Sequence, residues 1–223
     1  IMFSSQDVIT IIFLFFILII VPVGLVVSLR NQAKKRKFDV SFAKIASKLG
    51  LVQSGITNND DYEFFFDAFT LSKDSPIWQT SDEPKIFLNP YRKHSAELIV
   101  KGNYALPAIK LESKNNKTHI QRWWGSSTTM SKIQLEGNFN RFFTLYCEPG
   151  QEIIALQIIN PDIMQNMIDN QSYYDVHIQG AGILIATDVK EWTLDFTKDF
   201  LNHAFSLDKL LQTTQKVTDP RIG

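Results

Sequence analysis

The chain has 223 residues, 46 of them charged, and a formal net charge of zero. It holds one cysteine, Cys147, so no intramolecular disulfide can form and the core must rest on apolar burial. From Phe38 onward eighteen Lys and Arg face 22 Asp and Glu, a net of about −4, which argues against a nucleic-acid-binding face.

The N-terminus is the most distinctive segment. A short leader, residues 1–7, precedes Val8–Leu29, an apolar run without a single charge. At ~1.5 Å per residue a helix of that length reaches roughly 33 Å, against about 30 Å of hydrocarbon in a bilayer. The expectation is a transmembrane anchor carried by Val8, Phe13, Phe16, Ile20, Val27 and Leu29. A cleaved signal peptide fits less well, because its apolar region is about 7–15 residues long and follows positive charge rather than Asp7. The basic segment 30–37 carries Arg30, Lys34, Lys35, Arg36 and Lys37. Basic residues are retained on the cytoplasmic side, so the sequence predicts a single-pass protein of the cell membrane with its domain in the cytoplasm. The same five residues are the candidates for contact with lipid headgroups.

The domain is expected over residues 38–217, followed by a frayed end at 218–223. Phe42, Ile45, Ala46 and Leu49 recur at helical spacing and Gly50 is a natural stop, predicting a first helix over Phe38–Leu51. Strand-like segments follow at 63–71, 86–88, 96–101 and 105–112, the last two joined at Gly102-Asn103 as an expected hairpin. The run 114–117 reads as a turn and 119–124 as a further strand. Arg122-Trp123-Trp124 stands out. Adjacent tryptophans on a strand point to opposite faces, so one packs while the other sits exposed beside Arg122, or both pack with one under a loop. Exposed Trp and Arg are typical of binding hot spots, which makes these three the candidate interaction surface.

Further on, Arg141–Cys147 reads as a buried strand. Asn160-Pro161-Asp162 opens a helix: Asn160 caps, Pro161 suits the first turn, and Asp162 favours the dipole. Segments 174–179 and 182–186 flank Gly180-Ala181-Gly182, a second expected hairpin, and 190–217 reads as helix in two pieces. Strands neighbour strands, so the fold class expected is α+β, with one N-terminal transmembrane helix, a mostly antiparallel sheet and flanking helices.

Catalytic motifs are not found. Gly180-Ala181-Gly182 has no following helix and no third glycine, so it is not a dinucleotide loop. His94, His119, His177 and His203 are scattered, with none at metal-ligand spacing, and Cys147 ends an apolar strand, where cysteine behaves as a small hydrophobe. No metal and no cofactor are expected.

The segment Leu135–Asp169 carries a motif: Leu135, Glu136, Gly137, Phe139, Asn140, Phe143 and Tyr146, followed by Pro161-Asp162. It resembles a group of bacterial single-pass membrane proteins classed as a domain of unknown function. The resemblance implies a membrane anchor ahead of a mixed domain and brings no catalytic residues. Physically the motif is folding information, with Gly137 allowing a turn or bulge and Phe139, Phe143 and Tyr146 expected in the core. The functional expectation is a membrane-tethered protein-interaction or scaffold module whose partners are the bilayer and another membrane or cytoplasmic protein. The alternatives are a membrane-surface enzyme acting on lipid or envelope precursors, with His94, His119 and Glu136 drawn into a pocket, and an extracytoplasmic envelope or adhesion domain.

Overall fold

The computed structural model describes residue 15 and residues 21–54, 77–90, 95–116, 130–135, 137–169 and 174–218. It divides into two compact units, residues 1–44 and 45–223. The first unit holds most of helix α1 (Val21–Lys48, 28 residues). Within it Phe38 and Phe42 stack at 6.0 Å between ring centroids. The helix ends at Lys48, just before Gly50, the stop the sequence predicts, whose φ of 67 is costly for residues with a side chain; it starts well ahead of the expected Phe38.

The expected transmembrane helix is overturned. Among the described residues no helix is long and apolar enough to cross a membrane. The physical reason lies in α1 itself. Its apolar part, Val21–Leu29, extends only about 14 Å at ~1.5 Å per residue. Arg30, Asn31, Gln32 and then Lys34, Lys35, Arg36 and Lys37 continue the same helix, all of them exposed. Val27 and Leu29 lie on this helix and are exposed, while Val8, Phe13, Phe16 and Ile20 fall outside the described residues. The described N-terminal helix is therefore not a membrane span.

The second unit is α+β. Its described strands are β1 (Val52–Ser54), β2 (Ile77–Gln79), β3 (Lys85–Asn89), β4 (Ser95–Ser113), β5 (Ser131–Ile133), β6 (Phe143–Cys147) and β7 (Asp175–Asp188). They form one sheet in the order β1-β2-β3-β4-β6-β5, with β7 also paired to β4, and every pairing is antiparallel. Helices α2 (Phe139–Phe142), α3 (Glu152–Ile158), α4 (Pro161–Asp169) and α5 (Leu194–Thr218) complete the unit.

Both expected hairpins are corrected. Gly102-Asn103 does not turn the chain, because β4 runs through it for 19 residues. Gly180-Ala181-Gly182 does not turn it either, because β7 runs through for 14. The two strands pair along their lengths, Ala96 opposite Thr187 and Leu111 opposite Val176, and the register shifts between Lys101 and Leu106 and again between Leu106 and Ile109. Gly180 with φ 54, Gly102 and Pro107 all fall at these shifts. Proline lacks a ladder donor and glycine tolerates left-handed backbone, so both residues mark bulges in a long bent ribbon here.

Beyond the bend the ribbon is two-faced. Ile109, Leu111, Leu145, Cys147, Val176 and Ile178 are buried on one side, and α3 and α5 pack against β4. Helix α4 starts where the sequence places it: Asn160 Oδ1 accepts from Ile163 N at 3.0 Å, and Asn160 Nδ2 donates to Thr214 Oγ1 at 3.1 Å, tying α4 to α5. The tail is one helix of 25 residues rather than two pieces. Thr193 caps it, with Oγ1 accepting from Phe196 N at 3.1 Å, and Phe200, Leu201, Leu207 and Leu211 hold it to the core. Helix α3 has no counterpart in the sequence analysis. Ala155 and Ile158 are buried while Ile153, Ile154 and Leu156 are exposed, so its apolar residues surround the axis and show no periodic stripe.

Candidate functional site

The other face of the bent sheet carries charge. Residues opposite one another in antiparallel strands share a face. Lys110 of β4 lies opposite His177 of β7 and Tyr146 of β6, and Tyr146 lies opposite Lys132 of β5. One cross-strand row therefore reads His177, Lys110, Tyr146, Lys132. One pleat along, Asp175, Glu112, Thr144 and Gln134 (the residue after β5) continue the same face. Exposure rises across the rows, from buried Asp175, His177 and Lys110 through half-buried Tyr146 and Thr144 to exposed Lys132 and Gln134.

The interior end is electrically closed. Lys110 Nζ lies 2.6 Å from Glu112 Oε1 and 5.8 Å from the centre of the Tyr146 ring. The Tyr146 phenol is pushed above its ordinary pKa by burial, with Glu112 as neighbouring charge and hydrogen-bond partner adding to the shift. Asp175 ties the end of β4 to the start of β7. Its Oδ1 accepts from Ser113 N at 2.6 Å and its Oδ2 from Asn116 Nδ2 at 3.0 Å, while the same amide donates to Ala186 O at 3.3 Å. Burial outweighs these hydrogen bonds and raises the Asp175 pKa to about 7. Burial also holds His177 neutral, lowering its pKa to about 3 with help from Lys110.

Perturbed titratable groups concentrate at functional sites, and also in structural networks. The geometry here favours the structural case. Both Asp175 oxygens accept donors that fix the strand ends, which accounts for its place here as a structural tie. Cys147 is fully buried, its thiol donates to Glu148 O at 3.2 Å, and burial first, then Glu152 and Glu148, push its pKa up, the opposite of an activated thiolate. His203 is buried on α5 against Tyr174, 4.6 Å between ring centres. Among the described residues no group of three or more His, Cys, Asp or Glu could hold a metal ion.

At the exposed end of the rows a cleft of about 450 Å³ opens, lined by Lys114, Lys132, Ile133, Gln134, Asn140, Phe143 and Thr144. The motif beginning at Leu135 builds its wall. Gly137 turns the chain at φ 74, and Phe139 and Phe143 stack at 4.7 Å in the core. Asn140 Oδ1 accepts from Leu135 N at 3.2 Å, Asn140 O accepts from Lys114 Nζ, and Lys114 N donates to Phe142 O at 2.8 Å. Tyr146, expected in the core, stands on the charged face instead, half-buried.

The sequence candidates fall elsewhere. Arg122, Trp123 and Trp124 lie outside the described residues, as do His94, His119 and Glu136. Lys110, Glu112, Asp175 and Lys132 were not singled out by their spacing. The available signal was the alternation Ile109-Lys110-Leu111-Glu112 against Asp175-Val176-His177-Ile178, which becomes a site only once the register between β4 and β7 is known.

Fold and site together define an antiparallel α+β domain with a bent two-strand ribbon and a lysine-lined cleft at its edge. No protein-family model and no curated protein matches the chain. Among solved structures it is similar to the crystal structure of the mycobacterial trehalose monomycolate transport factor A, TtfA, with a TM-score of 0.52 and 10% sequence identity, over 75% of this chain and 90% of that one. At that identity the likeness is one of fold.

Proposed function

We propose that this domain is a protein-interaction module that works by binding rather than by catalysis. The observation that carries the reading is the composition of the cleft. Its lining offers two ammonium groups, two amides, a hydroxyl and an apolar floor, and among the described residues it includes no carboxylate, imidazole or thiol. Among the described residues Asp175, His177, His203 and Cys147, which could do acid–base or nucleophilic work, are buried in the core. Such a cleft supplies charge and hydrogen-bond donors to a ligand, and among the described lining residues no carboxylate or imidazole stands beside its lysines and threonine to activate them as bases or nucleophiles. The name of the structural neighbour, a transport factor, is compatible with a role of this kind.

The test is site-specific photo-crosslinking in cells producing the full chain. Probes replace Arg141, next in the chain to the cleft residue Asn140, Ile153 on α3 and Lys198 on α5, all exposed. The expected result is one discrete heavier species from the Arg141 position and none from Lys198. Absence of a discrete adduct at every position would refute the reading.

A further inference from the structure

We infer that the cleft between Lys114 and Lys132 takes a carboxylate-bearing segment of a protein partner, an inference that rests on the interaction reading above. The first support is charge accounting. Among the described residues Glu112, one of two carboxylates on the same face, is engaged by Lys110 at 2.6 Å and by Tyr146. Asp175 is held by Ser113 and Asn116. Among the described residues no carboxylate forms an ion pair with Lys114 or Lys132. Among the described residues the cleft therefore keeps two positive charges, in a domain whose sequence is otherwise net negative.

The second support is preorganisation. Lys114 donates to Asn140 O, and Asn140 is fixed in turn by accepting from Leu135 N. That leaves two of the three ammonium donors of Lys114 for a ligand. A site whose donors are already placed loses little ordering entropy on binding. Charge-assisted hydrogen bonds from lysine to carboxylate are roughly twice as strong as neutral ones.

The third support is size and lining. At about 450 Å³ the cleft is far larger than one phosphate or acetate ion, and Ile133 and Phe143 give it an apolar floor. Gln134, Asn140 and Thr144 supply neutral groups suited to peptide amides. A short stretch of chain carrying Glu or Asp beside an aliphatic residue satisfies all of these features together. Among the described residues no arginine lines the cleft to grip a phosphate in bidentate fashion.

The experiment is a titration of the full chain into a fluorescein-labelled hexapeptide of alternating Glu and Leu at low salt, read by anisotropy. Lys132→Glu, at an exposed position, is expected to weaken binding by at least tenfold, and Lys114→Gln by several-fold. Lys198→Glu, an equal charge change on α5, is expected to stay within twofold of the parent. Circular dichroism checks that each variant is folded. No binding by the parent chain, or equal weakening by Lys132→Glu and Lys198→Glu, overturns the assignment. Displacement of the peptide by inorganic phosphate at matching concentration also overturns it, in favour of a phosphate site. A crosslinked partner adduct at Arg141 that persists unchanged in the Lys132→Glu chain sinks the cleft assignment alone, whereas the absence of any adduct sinks the interaction reading itself.

Discussion

Replacing His203 with phenylalanine should make the protein more stable, and increasingly so as the solution is acidified. His203 is 3% exposed on α5, and neither ring nitrogen has a hydrogen-bond partner among the described residues. A buried polar group left unsatisfied costs about 1–3 kcal/mol. Phenylalanine keeps the ring contact with Tyr174 at 4.6 Å and removes the two nitrogens, so at pH 7.5 the variant should be more stable by about 1 kcal/mol after some loss to its slightly larger ring. The pH dependence is the sharper test. Burial lowers the His203 pKa from 6.5 to about 4. Between those values the unfolded chain binds a proton that the folded chain refuses, so the parent loses stability as pH falls through this window. Each pH unit is worth about 1.4 kcal/mol for one proton. From pH 6.5 down to pH 5 the advantage of the variant should therefore widen by about 2 kcal/mol. Urea unfolding of both chains at pH 7.5, 6.5, 5.5 and 5.0, followed by tryptophan fluorescence, measures it. Parallel stability curves for parent and variant would show that His203 is solvated or partnered and would refute the reasoning.

Glu112→Gln should cost about 3 kcal/mol, since it leaves the buried ammonium of Lys110 without its carboxylate, and the Lys110→Met/Glu112→Leu double variant should recover most of that loss in denaturant titrations. Asn160→Ala should cost about 1 kcal/mol in a thermal melt, because the cap of α4 and the bond to Thr214 go together. Asp175→Asn should change the acid response in the direction opposite to His203→Phe. With its pKa raised to about 7, Asp175 stabilises the fold most below pH 4 and loses that contribution as pH rises to 7, so the variant should be relatively less stable at pH 5 than at pH 7.5. Ile153→Glu on the exposed side of α3 should shift stability by no more than about 0.5 kcal/mol.

Local chemistry was readable in the chain wherever a residue acts on its immediate neighbours. Asn160-Pro161-Asp162 starts α4, Gly50 stops α1, and Gly137 turns the chain ahead of Phe139, because capping and left-handed backbone are matters of a few consecutive residues. The α+β class followed from strands succeeding strands. The apolar N-terminus was over-read: hydropathy over Val8–Leu29 reads as a span, yet the described helix continues from Val21 through Arg30 and Lys34–Lys37 to Lys48. Glycine pairs were over-read in the same way. Gly102-Asn103 and Gly180-Ala181-Gly182 suit either a hairpin or a bulge in a continuous strand, and only the pairing of β4 with β7 along both their lengths decides between them. The site lay beyond the reach of the sequence for the same reason. Lys110, Glu112, Tyr146, Asp175 and Lys132 come from four strands, and a register slip of one residue would send every one of them to the opposite face. What sequence determined were caps, the left-handed glycines at Gly50 and Gly137, and composition; tertiary structure alone decided register, and with it which charges meet.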